Sequence, residues 1–273
     1  MMKKRLSYII FLVGLTVFMY PHVYNILFEV QSIEAYQEYE EAVQEISESE
    51  EQGYLQQFRE YNEKLAQGYF NEDFADPFLQ NLPVEVTGIQ QPGPAVTGPS
   101  GQTLPGNPSS GGTGGNQTPA KDPQWSDPYP ILSTSSYLPN GAFGYLDIPK
   151  LGEKLPIYLG ATFSHLERGV AQLEGTSLPV GGIGTNSVIA GHRSLARGAL
   201  LFKHLDKLRP GDRFYIQIFN QTLTYEVIGS EVILPYQRDK LTIQPGRDLV
   251  TLLTCTPYGQ VTHRLLVYGM RAE

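Results

Sequence analysis

Cys255, the single cysteine of the chain, closes the run Asp248-Leu249-Val250-Thr251-Leu252-Leu253-Thr254-Cys255, and Pro257 and Gly259 turn the chain just after it. A lone thiol is most often an inert core group. One delivered to the end of a β-rich run and flanked by Thr254 and Thr256 instead suits a cleft. Nine positions on, Arg264 stands at the head of a second apolar run, Arg264-Leu265-Leu266-Val267. Two strands joined by a loop of that size can lie side by side, which would bring a guanidinium near the sulfur. There it favours a thiolate or holds an oxyanion on an acyl group, and arginine suits the task because it stays charged and presents planar donors. His192 follows a third run, Val188-Ile189-Ala190-Gly191. A cysteine, a histidine and a further charged group, distant in sequence, form the layout of a cysteine nucleophile with its proton carrier. Singly, His192 reads as a hydrogen-bonded surface residue and Arg264 as an ion-pair partner; the three together carry the reading.

These runs belong to a wider β texture. Short alternating or apolar stretches at 142–148, 155–159, 186–190, 213–219, 223–232, 248–254 and 264–270 are separated by turn signals. Asn220-Gln221-Thr222 marks a hairpin, and one helical stretch is expected near 200–208. Many short strands of this kind predict a closed β-barrel or sandwich beginning near residue 140.

The segments upstream are of other kinds. Lys3, Lys4 and Arg5 precede a stretch, 6–20, that is almost wholly apolar, and Pro21, His22 and Asn25 then interrupt it. No small-x-small cleavage site follows. The expectation is an uncleaved signal anchor over 1–30 with its basic tip in the cytoplasm, a single pass through the cell membrane, and the remainder outside the cell. No second apolar span is seen toward Glu273. Residues 31–87 are acidic and read as a helical stalk, with Ile33, Tyr36, Val43, Ile46, Tyr54, Phe58, Tyr61 and Leu65 at helical steps and a kink expected at Gly53. Residues 88–140 read as a Gly/Pro/Ser-rich linker or insertion that buries too little apolar surface to offset its ordering entropy. The catalytic barrel is placed at 141–273. A net charge of −8 makes the chain a poor candidate for binding nucleic acid, which needs a basic footprint, and one cysteine excludes an internal disulfide. No metal-ligand cluster is evident, and no cofactor is expected.

Thr251-Leu252-Leu253-Thr254-Cys255 resembles the TLxTC signature of the sortases. Ala190-Gly191-His192-Arg193 resembles that family's histidine motif, and His263-Arg264-Leu265-Leu266-Val267 its arginine motif, in matching order and spacing. Gly144-Tyr145-Leu146-Asp147-Ile148-Pro149-Lys150, Leu155-Pro156-Ile157-Tyr158 and Tyr20-Pro21 are similar to the class C, pilus-building branch. The resemblance implies an eight-stranded barrel. It also implies attack by Cys255 on the Thr–Gly bond of an LPxTG-like sorting signal, a thioester acyl-enzyme, and resolution by an amine. His192 would carry the proton and Arg264 would orient the substrate and hold the oxyanion. The acceptor would be a pilin lysine in class C members or a cell-wall precursor in housekeeping ones; a non-catalytic module that binds sorting signals is the reading from another class. Class C sortases carry a lid with an Asp-Pro-aromatic tip. Asp76-Pro77-Phe78 is favoured for it, Asp127-Pro128-Tyr129 is the other candidate, and Thr254 is grouped with them as substrate-contacting. Gln172 and Glu174 are unranked candidates for the cleft rim.

Overall fold

The computed structural model describes residues 2–68, 76–78, 141–193 and 201–272, all within one compact unit. The linker region 88–140, with Asp127 and Tyr129, lies outside the described residues.

Eight strands close into a barrel: β1 (Gly144–Ile148), β2 (Glu153–Leu159), β3 (Val170–Gln172), β4 (Thr185–Ala190), β5 (Arg213–Ile218), β6 (Gln221–Ile233), β7 (Asp248–Thr256) and β8 (His263–Arg271), in the order β1-β2-β3-β4-β7-β8-β6-β5. The β2–β3 and β4–β7 pairs are parallel and the others antiparallel. Alternation sorts the faces: Leu146 lies opposite Leu155 and Ile216, and all three are buried. At Gly269 an added Cβ would fall 2.3 Å from the Phe214 ring, so this glycine lets β8 pass close over the packed interior.

Seven of these strands lie on the stretches read from the sequence. The eighth, β3, spans only Val170–Gln172, too short for a period to register, and the short helix α3 (Phe163–Arg168) ahead of it was not expected. The helix expected near 200–208 reduces to turns with one 3-10 segment, Leu205–Lys207. Its apolar residues Leu201, Phe202, Leu205 and Leu208 are buried against the barrel, so their spacing reflects packing of a turn rather than a helix face.

Upstream, α1 (Met2–Glu45) and α2 (Glu48–Ala66) are separated at Ser47, not at Gly53, which sits inside α2. Ser47 accepts from the Glu50 N–H while the Glu50 side chain accepts from the Ser47 N–H, a capping box that starts a new helix there. Nor do these helices form a free stalk. Tyr39, Leu55, Phe58, Tyr61 and Leu65 are buried. Phe58 packs on Phe143 at 5.1 Å, Tyr39 on Tyr145 at 5.1 Å, and Asn62 exchanges two hydrogen bonds (3.0 and 2.7 Å) with the backbone of Leu178. Among the described residues, no helix is long and apolar enough to cross a membrane. Of the expected anchor, the described side chains, those of 8, 10–20, 23 and 30, are exposed, and those of 1–7, 9, 21–22 and 24–29 are outside the description.

One polar group sits poorly in this packing. Glu153 shares its face with Leu155 and Ile157, its Oε2 is buried without a partner among the described residues, and burial pushes its carboxyl up to about 8. A carboxyl raised on folding binds protons more tightly in the folded state, so its contribution is fully present below about 4.5 and is lost as pH rises through about 8. Glu153→Gln is therefore expected to raise stability at pH 8 by about 1–2 kcal/mol, seen as a higher Tm, and to leave Tm unchanged at pH 4. Thermal melts at the two pH values check this; an equal shift at both would show that the charge is not the cause.

Candidate active site

The ladder itself assembles the three chemical residues. In the antiparallel β7–β8 pair, Cys255 lies directly opposite Arg264, so both side chains leave the same face, that of Leu253 and Leu266. In the parallel β4–β7 pair, Ala190 is level with Leu253; two residues further along each strand stand His192 and Cys255. Gly191 keeps the strands together past the last regular pair, its N–H donating to Leu253 O at 3.0 Å. Only a glycine fits, because a Cβ there would lie 2.7 Å from the Phe202 ring.

The site is covered. Cys255 is 8% exposed and Arg264 1%. Asp76 reaches in from the upstream segment and meets Arg264 in a fork, Nε to Oδ2 at 2.9 Å and Nη2 to Oδ1 at 3.0 Å. The other guanidinium nitrogen, Nη1, donates to the carbonyls of Val261 and His263. Asp76 also accepts from the Phe78 N–H at 2.9 Å, and this tight turn lays the Phe78 ring against His192 at 5.3 Å and under the Arg264 guanidinium at 5.2 Å. Thus the first of the two Asp-Pro-aromatic candidates occupies the pocket.

Covering has electrostatic consequences. Burial pushes the Cys255 thiol up to about 11; Arg264 opposes this and Asp76 adds to it. Burial also pushes His192 down to about 4. Near neutral pH the pair therefore rests as thiol and imidazole rather than thiolate and imidazolium. Among the described residues, His192 Nε2 is buried without a hydrogen-bond partner, so none of them engages the ring nitrogen that a proton carrier needs.

Beside Asp76 and Arg264 lies a small open cleft, with Leu173, Ile233, Pro235, Leu241 and Leu253 supplying an apolar wall. Gln172 does not reach it as a rim residue. It is fully buried, and its amide donates to Thr176 O at 2.8 Å and Thr176 Oγ1 at 3.1 Å. Thr254 also departs from expectation: it is fully buried and its hydroxyl donates to Gly191 O at 2.7 Å, on the face away from Cys255. It ties the histidine segment to β7. Sequence reasoning missed Arg193, which donates to Thr256 Oγ1 at 2.8 Å; its place next to His192 was the available signal. Among the described residues no group of histidines, cysteines and carboxylates could hold a metal ion.

Comparison with known proteins agrees with this geometry. The sortase domain family model matches residues 146–272. The solved structure of sortase C1 of GBS pilus island 1 is 31% identical, with a TM-score of 0.65 over 89% of this chain and 92% of that one. Sortase C of Streptococcus pneumoniae is 29% identical, with a TM-score of 0.61 over 87% of this chain and 95% of that one. Sortase D of Bacillus subtilis (strain 168) is 28% identical over 133 residues, 48% of this chain and 64% of that protein, so the chain spans less than two thirds of that curated relative's length. A closed eight-stranded barrel that sets Cys255 across from Arg264 and beside the His192 strand, together with likeness along nearly the whole of two solved sortases C, places this chain in the sortase family, within its class C branch.

Proposed function

We propose that the chain is a lid-covered cysteine transpeptidase that cleaves an LPxTG-like sorting signal between Thr and Gly and transfers the threonyl acyl group to an amine, a pilin lysine. The observation that carries this is the shared face of Cys255 and Arg264 at the level of His192, beneath a lid whose aspartate occupies the guanidinium. When Asp76 withdraws, the chemistry follows from the groups present. His192 takes the Cys255 proton, the sulfur attacks the threonine carbonyl, and Arg264 holds the oxygen that becomes negative. Collapse breaks the C–N bond as imidazolium protonates the glycine amine, leaving a thioester. The incoming amine then attacks the thioester, gives its proton to His192, and releases the Cys255 sulfur. The apolar wall of the cleft suits the Leu-Pro end of such a signal.

A lysine acceptor is favoured over a cell-wall precursor by the two solved neighbours, one from a pilus island and the other described for its pilin substrate specificity, and by the lid. For the N-terminus we propose a membrane anchor with the barrel outside the cell. Its support is the apolar series Ile10, Phe11, Leu12, Val13, Leu15 and Val17, whose side chains are exposed. The test is incubation of the full chain in detergent with an LPxTG peptide and either a lysine-bearing pilin fragment or a cell-wall-precursor amine. An LPxT–lysine isopeptide product in the mass spectrum is expected. Hydrolysis alone, or transfer only to the precursor amine, would overturn the pilin reading; no cleavage even by Asp76→Ala would overturn the transpeptidase.

A further inference from the structure

His192 and Cys255 come from two different strands whose regular pairing ends at Ala190 and Leu253, before either residue is reached. Beyond that point, side chains tie the two strand ends together. On one side of the reacting pair, Thr254 donates to Gly191 O at 2.7 Å. On the other, Arg193 Nη1 donates to Thr256 Oγ1 at 2.8 Å. Each neighbour of Cys255 is thus bonded to a neighbour of His192, and the pair sits between two braces.

The second brace extends to a third segment. Arg193 Nη2 pairs with Asp206 Oδ2 at 2.9 Å and its Nε donates to Lys203 O at 3.4 Å, so one guanidinium spans the β4 end, the β7 end and the turn that includes Leu205–Lys207. The same turn grips His192 directly, the Phe202 N–H donating to His192 O at 2.9 Å. Arg193 is 8% exposed although charged, a placement that costs desolvation and is offset by these acceptors lying in different directions around one plane. A planar fork meets that arrangement and a single ammonium does not. The charges acting on the thiol are those of Arg264 and Asp76, so Arg193 acts on spacing rather than on the field at sulfur.

We propose that Arg193 is a positioning residue: by bridging Thr256 to Asp206 it fixes the spacing of the strand ends that present Cys255 and His192 for proton transfer. This rests on the reading of Cys255 and His192 as the reacting pair.

The test is steady-state cleavage of an LPxTG peptide by the full chain carrying Arg193→Lys, Thr256→Val, or both, with Cys255→Ala as reference. Rates are normalised to the folded fraction from thermal melts. Misplacing reacting groups by a fraction of an ångström is expected to lower kcat about tenfold or more in Arg193→Lys and several-fold in Thr256→Val, with KM within about twofold. The double variant should be no slower than Arg193→Lys alone, because both changes cut one bridge. The pH profile of kcat should shift as well, since proton transfer becomes limiting; a purely structural role would lower the folded fraction and leave the profile in place. Thr256→Val is nearly isosteric and keeps the test informative if Arg193→Lys folds poorly. Normalised kcat within twofold of the parent in both single variants, or additive losses, would overturn the positioning role while an inactive Cys255→Ala left the site reading intact. Turnover by Cys255→Ala would instead overturn the site reading itself.

Discussion

Asp76→Ala is expected to speed alkylation of Cys255 by iodoacetamide about 10- to 100-fold at pH 7.5 and to raise peptide cleavage in the same direction. The covered thiol lies near 11, and its ordinary value is 9.0. At pH 7.5 relief of that burial multiplies the thiolate fraction about 100-fold. Part of this gain is returned, because a less basic thiolate is intrinsically slower: with a Brønsted coefficient of about 0.4–0.5, two units of basicity cost about tenfold. Opening the path to sulfur adds to the rate and restores the upper figure. Losing Asp76 removes the anion that opposes the thiolate, frees the Arg264 fork, and releases the turn that seats Phe78 on His192. Phe78→Ala should act in the same direction but less, since the fork remains. Alkylation followed by intact mass at several pH values checks both the size and the cause. An unchanged rate in Asp76→Ala would mean that the lid does not govern access to the thiol.

Much of the barrel and the reacting trio was legible in the sequence because both rest on local signals. Strands of five residues or more show their alternation, and Cys255, His192 and Arg264 each sit at the end of an apolar run, where β-structure delivers side chains to a rim. What escaped has a common cause: it depends on contacts between segments far apart in the chain. β3 was too short to show a period, yet it is the strand that lets β2 and β4 join one sheet. The turn around Leu205 carried helical spacing only because its apolar residues face a curved core. Its neighbour in sequence suggests a cleft position for Thr254, whereas alternation turns it to the opposite face from Cys255. The break at Ser47 was the exception, since a serine followed three positions later by a glutamate is a visible helix start; Gly53 drew the kink instead, although nothing crowds it within the helix.

Arg264→Ala separates the two roles that the arginine plays, and it is expected to move two measurements in opposite directions. Peptide cleavage should fall by about 10²–10³-fold, the loss typical of removing a group that holds charge developing in the transition state. Arg264→Lys should recover little of it, because an ammonium cannot reproduce the planar pair of donors that now meets Asp76 and would meet an oxyanion. Thiol alkylation, by contrast, should rise above the parent. Without the guanidinium, Asp76 is a mostly buried carboxylate with its partner gone, a state costing several kcal/mol when a buried pair is broken from one side, and the lid is released. Two influences on the thiol then compete: loss of Arg264 raises it, and relief of burial lowers it. Burial is the larger of the two in the covered site, so its relief wins. The gain stays below that of Asp76→Ala, which relieves burial while keeping the favourable charge. The ranking is therefore Asp76→Ala above Arg264→Ala above the parent for alkylation, and Asp76→Ala above the parent far above Arg264→Ala for cleavage. A reagent that needs only an accessible thiolate and a reaction that also needs an oxyanion site report different halves of one geometry. If both rates fell together in Arg264→Ala, the arginine would be holding the site's shape rather than clamping the lid; if both rose, it would have no part in the chemistry.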